Sequence, residues 1–188
     1  MLEGYDVILA SQSPRRQQLL REMDVNFRVE HIEGVNEEYP VNMPAEEVAR
    51  YLAMRKADPF YVQENELLIT ADTIVVLDDQ VLGKPADAAE ARTMLRSLSG
   101  RTHRVITGVC VGILEEMCAF HDVTEVEFAP LTDDEIDYYI EHYHPMDKAG
   151  AYGIQDWIGL IGIKRINGCF YNVMGLPVPR LYALLKTL

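Results

Sequence analysis

The 188-residue chain has no run of about 18 apolar residues, so no segment is expected to span a membrane. Its first residues, Met1 to Asp6, lack the basic flank and long apolar stretch of a signal peptide. A soluble, cytosolic protein is the expectation. Cysteine is scarce: Cys110, Cys118 and Cys169 are odd in number, far apart and without C-x-x-C spacing. That pattern argues against a zinc site or a disulfide framework and for small buried hydrophobes. The five histidines, at 31, 103, 121, 142 and 144, show neither H-x-x-x-H nor H-E-x-x-H spacing, which removes support for zinc catalysis. There is no G-x-x-x-x-G-K-[ST], no G-x-G-x-x-G and no G-x-S-x-G, so P-loop ATPases, dinucleotide enzymes and α/β-hydrolases are set aside. Positive charge is in deficit, with 17 Lys and Arg against 30 Asp and Glu and a formal net charge of −13. Such a field repels nucleic-acid backbones. Because salt screens charge over roughly 10 Å, a local basic pocket can still hold a small anionic ligand.

What is present is 48% apolar composition, enough for one substantial core, with no repeat, low-complexity tract or Gly/Ser linker. Short apolar runs alternate with amphipathic stretches, which predicts an α/β domain over residues 1–188. Strands are expected at Tyr5–Ala10 and Phe27–Ile32, and helices from Pro14 to about Met23 and from Pro44 to about Lys56. Leu67–Leu77 reads as a long strand interrupted by Asp72. It turns at Asp78 and Asp79 into a short strand that ends at Gly83. Asp87 can cap a helix that stops at Gly100. Strands at His103–Ile113 and Met117–Phe128 follow, separated by a turn at Glu115 and Glu116. Thr132 to Glu135 is a capping box opening a helix that Pro145 ends. Beyond it, a structured loop over Lys148–Gln155, a strand over Ile161–Ile166, an Asn167-Gly168 hairpin turn and a terminal helix from Pro177 are expected.

Several separated segments carry chemistry. In Ser11-Gln12-Ser13-Pro14-Arg15-Arg16 a strand leads into a helix that Ser13 can cap and Pro14 can begin. Two arginines in a first turn oppose the helix dipole, and a phosphate bound at the free N–H groups would resolve the conflict; a capped surface helix with solvated arginines is the plain alternative. Asp72 lies inside an apolar strand, where an unpaired carboxylate costs several kcal/mol, on the order given by desolvation. It is therefore a candidate ligand of a hard divalent cation, a candidate general base, or a strand-end Asp bonded to nearby backbone. Lys56 at a helix end and Lys84 beyond the presumed hairpin suit a triphosphate when taken with Arg15. Glu37 and Glu38 form an acidic loop pair that is either solvated or metal-ligating. Trp157, Tyr138 and Tyr139 are read as core or interface aromatics rather than base-stacking platforms.

Taken in order, these segments resemble the Maf family of nucleotide pyrophosphatases over essentially the whole chain. The resemblance rests on Leu9 to Arg16, Ala71 to Val75, Leu82 to Pro85, Gly100 to Gly108, Asp147 to Gln155 and Asn172 to Pro177. It implies an α/β, inosine-triphosphatase-like fold: an elongated twisted mixed β-sheet flanked by helices, with two lobes of one domain and a central cleft. It also implies dimers and a catalytic set of Glu37, Lys56, Asp72 and Lys84, with Ser11, Ser13, Arg15 and Arg16 at the phosphate end. Arg15, Thr73 and Gln155 match the pattern of members acting on dTTP and UTP rather than on 7-methyl-GTP. Asn36 departs from the acidic residue frequent in this loop. The implied chemistry is attack of water on the α-phosphorus, with Mg²⁺ or Mn²⁺ held by Asp72 and Glu37. The alternative is a non-catalytic nucleotide-binding regulator of cell division.

Overall fold

The computed structural model describes residues 2, 4–31, 34–114 and 116–188. In chain order the strands are β1 (Asp6–Leu9), β2 (Arg28–Val29), β3 (Glu66–Leu77), β4 (Gln80–Leu82), β5 (Thr102–Ile113), β6 (Glu116–Phe128) and β7 (Ile163–Asn167). The helices are α1 (Pro14–Glu22), α2 (Ala45–Ala57), α3 (Ala88–Leu98), α4 (Asp133–Tyr143), α5 (Trp157–Gly162), α6 (Phe170–Met174) and α7 (Val178–Leu185). Strand order is β2-β1-β3-β5-β6-β7, with β4 paired to β3. β1 runs parallel to β2 and β3, whereas β4 on β3 and β7 on β6 are antiparallel, so the sheet is mixed. Contacts divide the chain into two compact units.

The first unit comprises Met1–Asp72, Thr107–Asp122 and Gly175–Leu188. Its core joins Ile8 of β1, Leu68 of β3 and Cys110 of β5 to Ala53 and Ala57 of α2. Small residues let this helix lie close to the strands. The approach is closest at Gly108, where any Cβ would overlap the backbone of Ala49. Helix α1 starts as its sequence dictates, with Ser13 accepting from the Arg16 N–H and Pro14 at the first turn, and it buries Leu19 and Leu20. α2 carries Glu46 and Glu47 in its first turn and Arg55 and Lys56 in its last, both favourable to the helix dipole.

The second unit comprises Thr73–Ile106 and Val123–Met174. Asp78 and Asp79 both adopt positive φ, 48° and 63°, which gives the tight turn that folds β4 back on β3. α3 is capped by Asp87 and α4 by the expected capping box of Thr132 and Glu135. The two helices are joined by a two-pronged pair of Arg96 with Asp133, at 2.8 and 2.7 Å.

Several sequence expectations are corrected. The strand expected over Phe27–Ile32 is reduced to Arg28–Val29, with Ile32 outside the described residues. The turn after β5 includes Leu114 at φ 44°, and Glu116 already belongs to β6; Glu115 lies outside the described residues. Ile161 and Gly162 end a short helix rather than begin a strand, because Trp157, Ile158 and the small glycines at 159 and 162 allow a tight turn whose Ile158 is buried. Asn167 and Gly168 do not form a hairpin: Asn167 is the last residue of β7, whose partner is β6, and the chain then enters α6. Gly168, at φ 133°, is needed because a Cβ there would press on Thr124. Of the cysteines, only Cys110 is buried; Cys118 is exposed and Cys169 intermediate.

Candidate active site

The first unit holds seven of the expected residues: Ser11, Ser13, Arg15, Arg16, Glu37, Lys56 and Asp72. Lys56, at the cationic end of α2, reaches back to β3. Its ammonium pairs with Asp72 Oδ1 and lies 2.9 Å from Glu37 Oε1. Lys56 and Asp72 are largely covered, with 19% and 14% of their side chains exposed, whereas Glu37 keeps 54%. The sequence argument that a carboxylate inside the Leu67–Leu77 strand needs a partner is thus met by a lysine from another element. Glu38 does not join: its backbone N–H donates to Asn36 Oδ1 at 2.8 Å, and its carboxylate accepts from the Asn36 amide at 3.2 Å. The acidic loop therefore supplies one carboxylate to the site, not two.

At the start of α1, the Ser13 N–H donates to Ser11 Oγ at 3.2 Å. Arg16 donates from Nη1 to the same Oγ at 3.3 Å and from Nε to the Gly175 carbonyl at 2.8 Å. Gly175 sits at φ 114°, a conformation that glycine adopts without strain. Burial lowers the Arg16 pKa; the nearby Asp72 and Glu37 carboxylates raise it and Arg15 lowers it. A guanidinium remains charged under such perturbation. The Arg16 guanidinium is held by the Ser11 hydroxyl and the Gly175 carbonyl, partners the sequence did not reveal. Arg15 and Arg16 are the second and third residues of α1, in the first turn, where backbone N–H groups lack partners within the helix. Arg16 at the start of α1 thus feels the Asp72 and Glu37 carboxylates that hold Lys56, and cations near a helix N-terminus have the chemistry to bind phosphate oxygens.

Thr73, Lys84 and Gln155 belong to the second unit. Lys84 is exposed, two residues past the Leu82 that pairs with Val75, and its loop is tied by the Gly150 N–H donating to the Gly83 carbonyl at 3.0 Å. Thr73 follows Asp72 on β3 and is half-buried. Gln155 is exposed, and its amide Nε2 donates to Asp156 Oδ1 at 3.2 Å. The other oxygen of Asp156 accepts from the buried Tyr139 hydroxyl at 2.7 Å, and that hydroxyl accepts from the Gly153 N–H at 3.0 Å. Lys148 Nζ lies 3.9 Å from the same Asp156 oxygen. Asp156 was not singled out by sequence, and Tyr139 was read there only as a core or interface aromatic. In the structure Asp156 makes no side-chain cap hydrogen bond to α5 and spends its carboxylate elsewhere.

Residues 6–188 match the model of the family described as Maf-like protein. The chain belongs to the Maf-like family. A dTTP/UTP pyrophosphatase of Phocaeicola vulgatus is 53% identical over 189 residues, covering 100% of this chain and 98% of that relative. A dTTP/UTP pyrophosphatase of Porphyromonas gingivalis is 52% identical, covering 98% of this chain and 95% of its own. Among solved structures, the Ham1 protein of Staphylococcus aureus superposes with a TM-score of 0.54 at 16% identity, covering 97% of this chain and 98% of that one. At that identity the likeness concerns the fold alone, a mixed sheet flanked by helices, and it is the fold expected for a Maf-like chain.

The family resemblance implies a divalent cation. Among the described residues no three His, Cys, Asp or Glu side chains form a metal-holding group. Mg²⁺ commonly takes one or two carboxylates and completes its shell with water and substrate phosphate. Glu37 and Asp72, two hard oxygen donors converging on one cationic atom, fit that partial role and not a closed protein cage.

Proposed function

We propose that this Maf-like protein is a nucleoside triphosphate pyrophosphatase that hydrolyses dTTP and UTP to the nucleoside monophosphate and pyrophosphate. The observation that carries the reading is the Lys56 ammonium held between Asp72 and Glu37, in a unit that also places Ser11, Ser13, Arg15 and Arg16 at a helix N-terminus. The names of relatives about half identical over the full chain support it.

In this mechanism the oxygen of water bonds to the α-phosphorus, the bond from that phosphorus to the bridging oxygen breaks, and pyrophosphate departs. Asp72 takes up the water's proton or orients the water, and Lys56 keeps the carboxylate in place. Arg15, Arg16 and Lys84 oppose the charge that builds on the transferring group and on pyrophosphate, while the Ser11 and Ser13 hydroxyls orient phosphate oxygens. Glu37 and Asp72 would hold the divalent cation, Mg²⁺ or Mn²⁺, which supplies Lewis-acid neutralisation of phosphate charge when bound. Gln155 and Thr73 are assigned to the base and sugar end.

The test is pyrophosphate release from UTP and dTTP with Mg²⁺ or Mn²⁺ by the wild type and by Asp72→Asn. The substitution keeps the shape of the side chain and removes its charge. A loss of about 10²-fold or more in kcat is expected, the range for a positioned general base. Equal turnover by the two proteins would rule out the assigned role of Asp72. No turnover by either would favour a purely nucleotide-binding regulator.

A further inference from the structure

We infer that Asp156 is the positioning residue that fixes the amide of Gln155 in one orientation and thereby makes the site select uracil and thymine over cytosine. The inference rests on the pyrophosphatase reading above and on the base-recognition role given there to Gln155.

A Gln side chain offers a carbonyl acceptor and an NH₂ donor that exchange places on a half-turn about the last torsion, and free in solvent it presents either. An ionised carboxylate only accepts. The amide edge that meets Asp156 Oδ1 at 3.2 Å must therefore be the NH₂. With one N–H spent there, Gln155 keeps its carbonyl and one remaining N–H for a ligand. The 4-keto pyrimidine edge has a donor at N3 and an acceptor at O4, which meets this pair in register. Cytosine presents the reverse, an acceptor at N3 and a donor at N4, and finds acceptor facing acceptor and donor facing donor. Uracil and thymine share the edge, so the device does not separate UTP from dTTP.

Asp156 is itself held. Tyr139, fully buried in α4, donates to Asp156 Oδ2 at 2.7 Å while accepting from the Gly153 N–H at 3.0 Å. Burial and the adjacent carboxylate push the Tyr139 phenol pKa up, so the ring stays protonated and must donate. Lys148, with 12% of its side chain exposed, adds a cation 3.9 Å from the same oxygen. Gly153 closes the arrangement: a Cβ there would meet Asp156 Oδ2 at 2.6 Å and Gln155 Nε2 at 2.8 Å, so the amide and the carboxylate occupy the space that glycine leaves.

The chemistry predicts different outcomes for two substitutions. In Asp156→Ala nothing orients the amide, and both bases are accepted. In Asp156→Asn the new side chain must still accept from Tyr139, which turns its carbonyl to Tyr139 and its NH₂ to Gln155. Gln155 then turns its own carbonyl inward and its NH₂ outward, the edge that suits cytosine. A residue that merely supported the loop would lower activity on both substrates alike and leave their ratio unchanged.

The experiment compares wild type, Asp156→Ala and Asp156→Asn for kcat/KM on UTP and CTP with Mg²⁺, and for equilibrium binding of the α,β-imido analogues of both. The wild-type preference for UTP is expected to fall about tenfold or more in Asp156→Ala, the weight of one well-made hydrogen-bond mismatch. It is expected to fall further in Asp156→Asn. A UTP to CTP ratio unchanged in both variants, by turnover and by binding, overturns the inference while leaving the pyrophosphatase reading intact. Tight binding of the UTP analogue without pyrophosphate release from UTP removes the pyrophosphatase reading, and the binding ratio still decides the role of Asp156.

Discussion

His103 illustrates how much a single buried side chain constrains the conditions under which this protein is stable. It is 2% exposed, its Nε2 lies 2.6 Å from the Tyr152 hydroxyl, and its Nδ1 has no hydrogen-bond partner among the described residues. Burial lowers its pKa to about 4 from the ordinary 6.5. The unfolded chain takes up a proton at this residue as pH drops through about 6.5, whereas the native state resists until about 4. Stability is therefore full above pH 6.5 and is lost between there and pH 4, by up to about 3 kcal/mol. Urea unfolding midpoints across that range should fall with pH in the wild type and fall less steeply in His103→Gln; matching slopes would assign the acid sensitivity to other groups. At this scale the sequence was informative where burial cost forces a partner, as for Asp72. It was silent where the partner comes from elsewhere in the chain: Lys56 to Asp72, and the Gly175 carbonyl to Arg16. Those pairings depend on tertiary placement, which no local pattern encodes.

Among the elements, the closeness of α2 to β5 sets the position of Lys56. Gly108 lets the strand approach the helix backbone at Ala49, two turns before Lys56, and Thr70 of β3 donates to the Ala53 carbonyl at 2.6 Å. Since backbone at Ala49 cannot yield as a flexible side chain would, Gly108→Ala should destabilise the protein by more than about 3 kcal/mol, in the severe tail of single substitutions. Chemical denaturation measures it, and a loss under about 1 kcal/mol would show that the packing adapts. Long elements with clear periodicity or caps were legible: β3 with its Asp78-Asp79 turn, α3 behind Asp87, and α4 behind its capping box. Two of the misreadings fall after Gly153, where α5 and α6 have six and five residues. Elements that short carry less than two turns of pattern, and an Asn-Gly pair there is decided by Thr124 packed against Gly168, not by its turn preference.

For the molecule as a whole, the net charge of −13 and the gathering of Arg15, Arg16 and Lys56 belong together. A net negative charge disfavours polyanions, and a few cations near the start of α1 leave room for a small anion. That balance was readable from composition, as was membership of the Maf-like family from its separated motifs. The described residues contain no helix long and apolar enough to cross a membrane. The central claim is that water attacks the α-phosphorus and pyrophosphate leaves, and isotope labelling tests it most directly. UTP hydrolysed in ¹⁸O-water should give UMP carrying one ¹⁸O on its phosphate and unlabelled pyrophosphate, read by mass spectrometry. Label in pyrophosphate with unlabelled UMP would place the attack at the β-phosphorus, and UDP with labelled orthophosphate would place it at the γ-phosphorus; either result would contradict the mechanism.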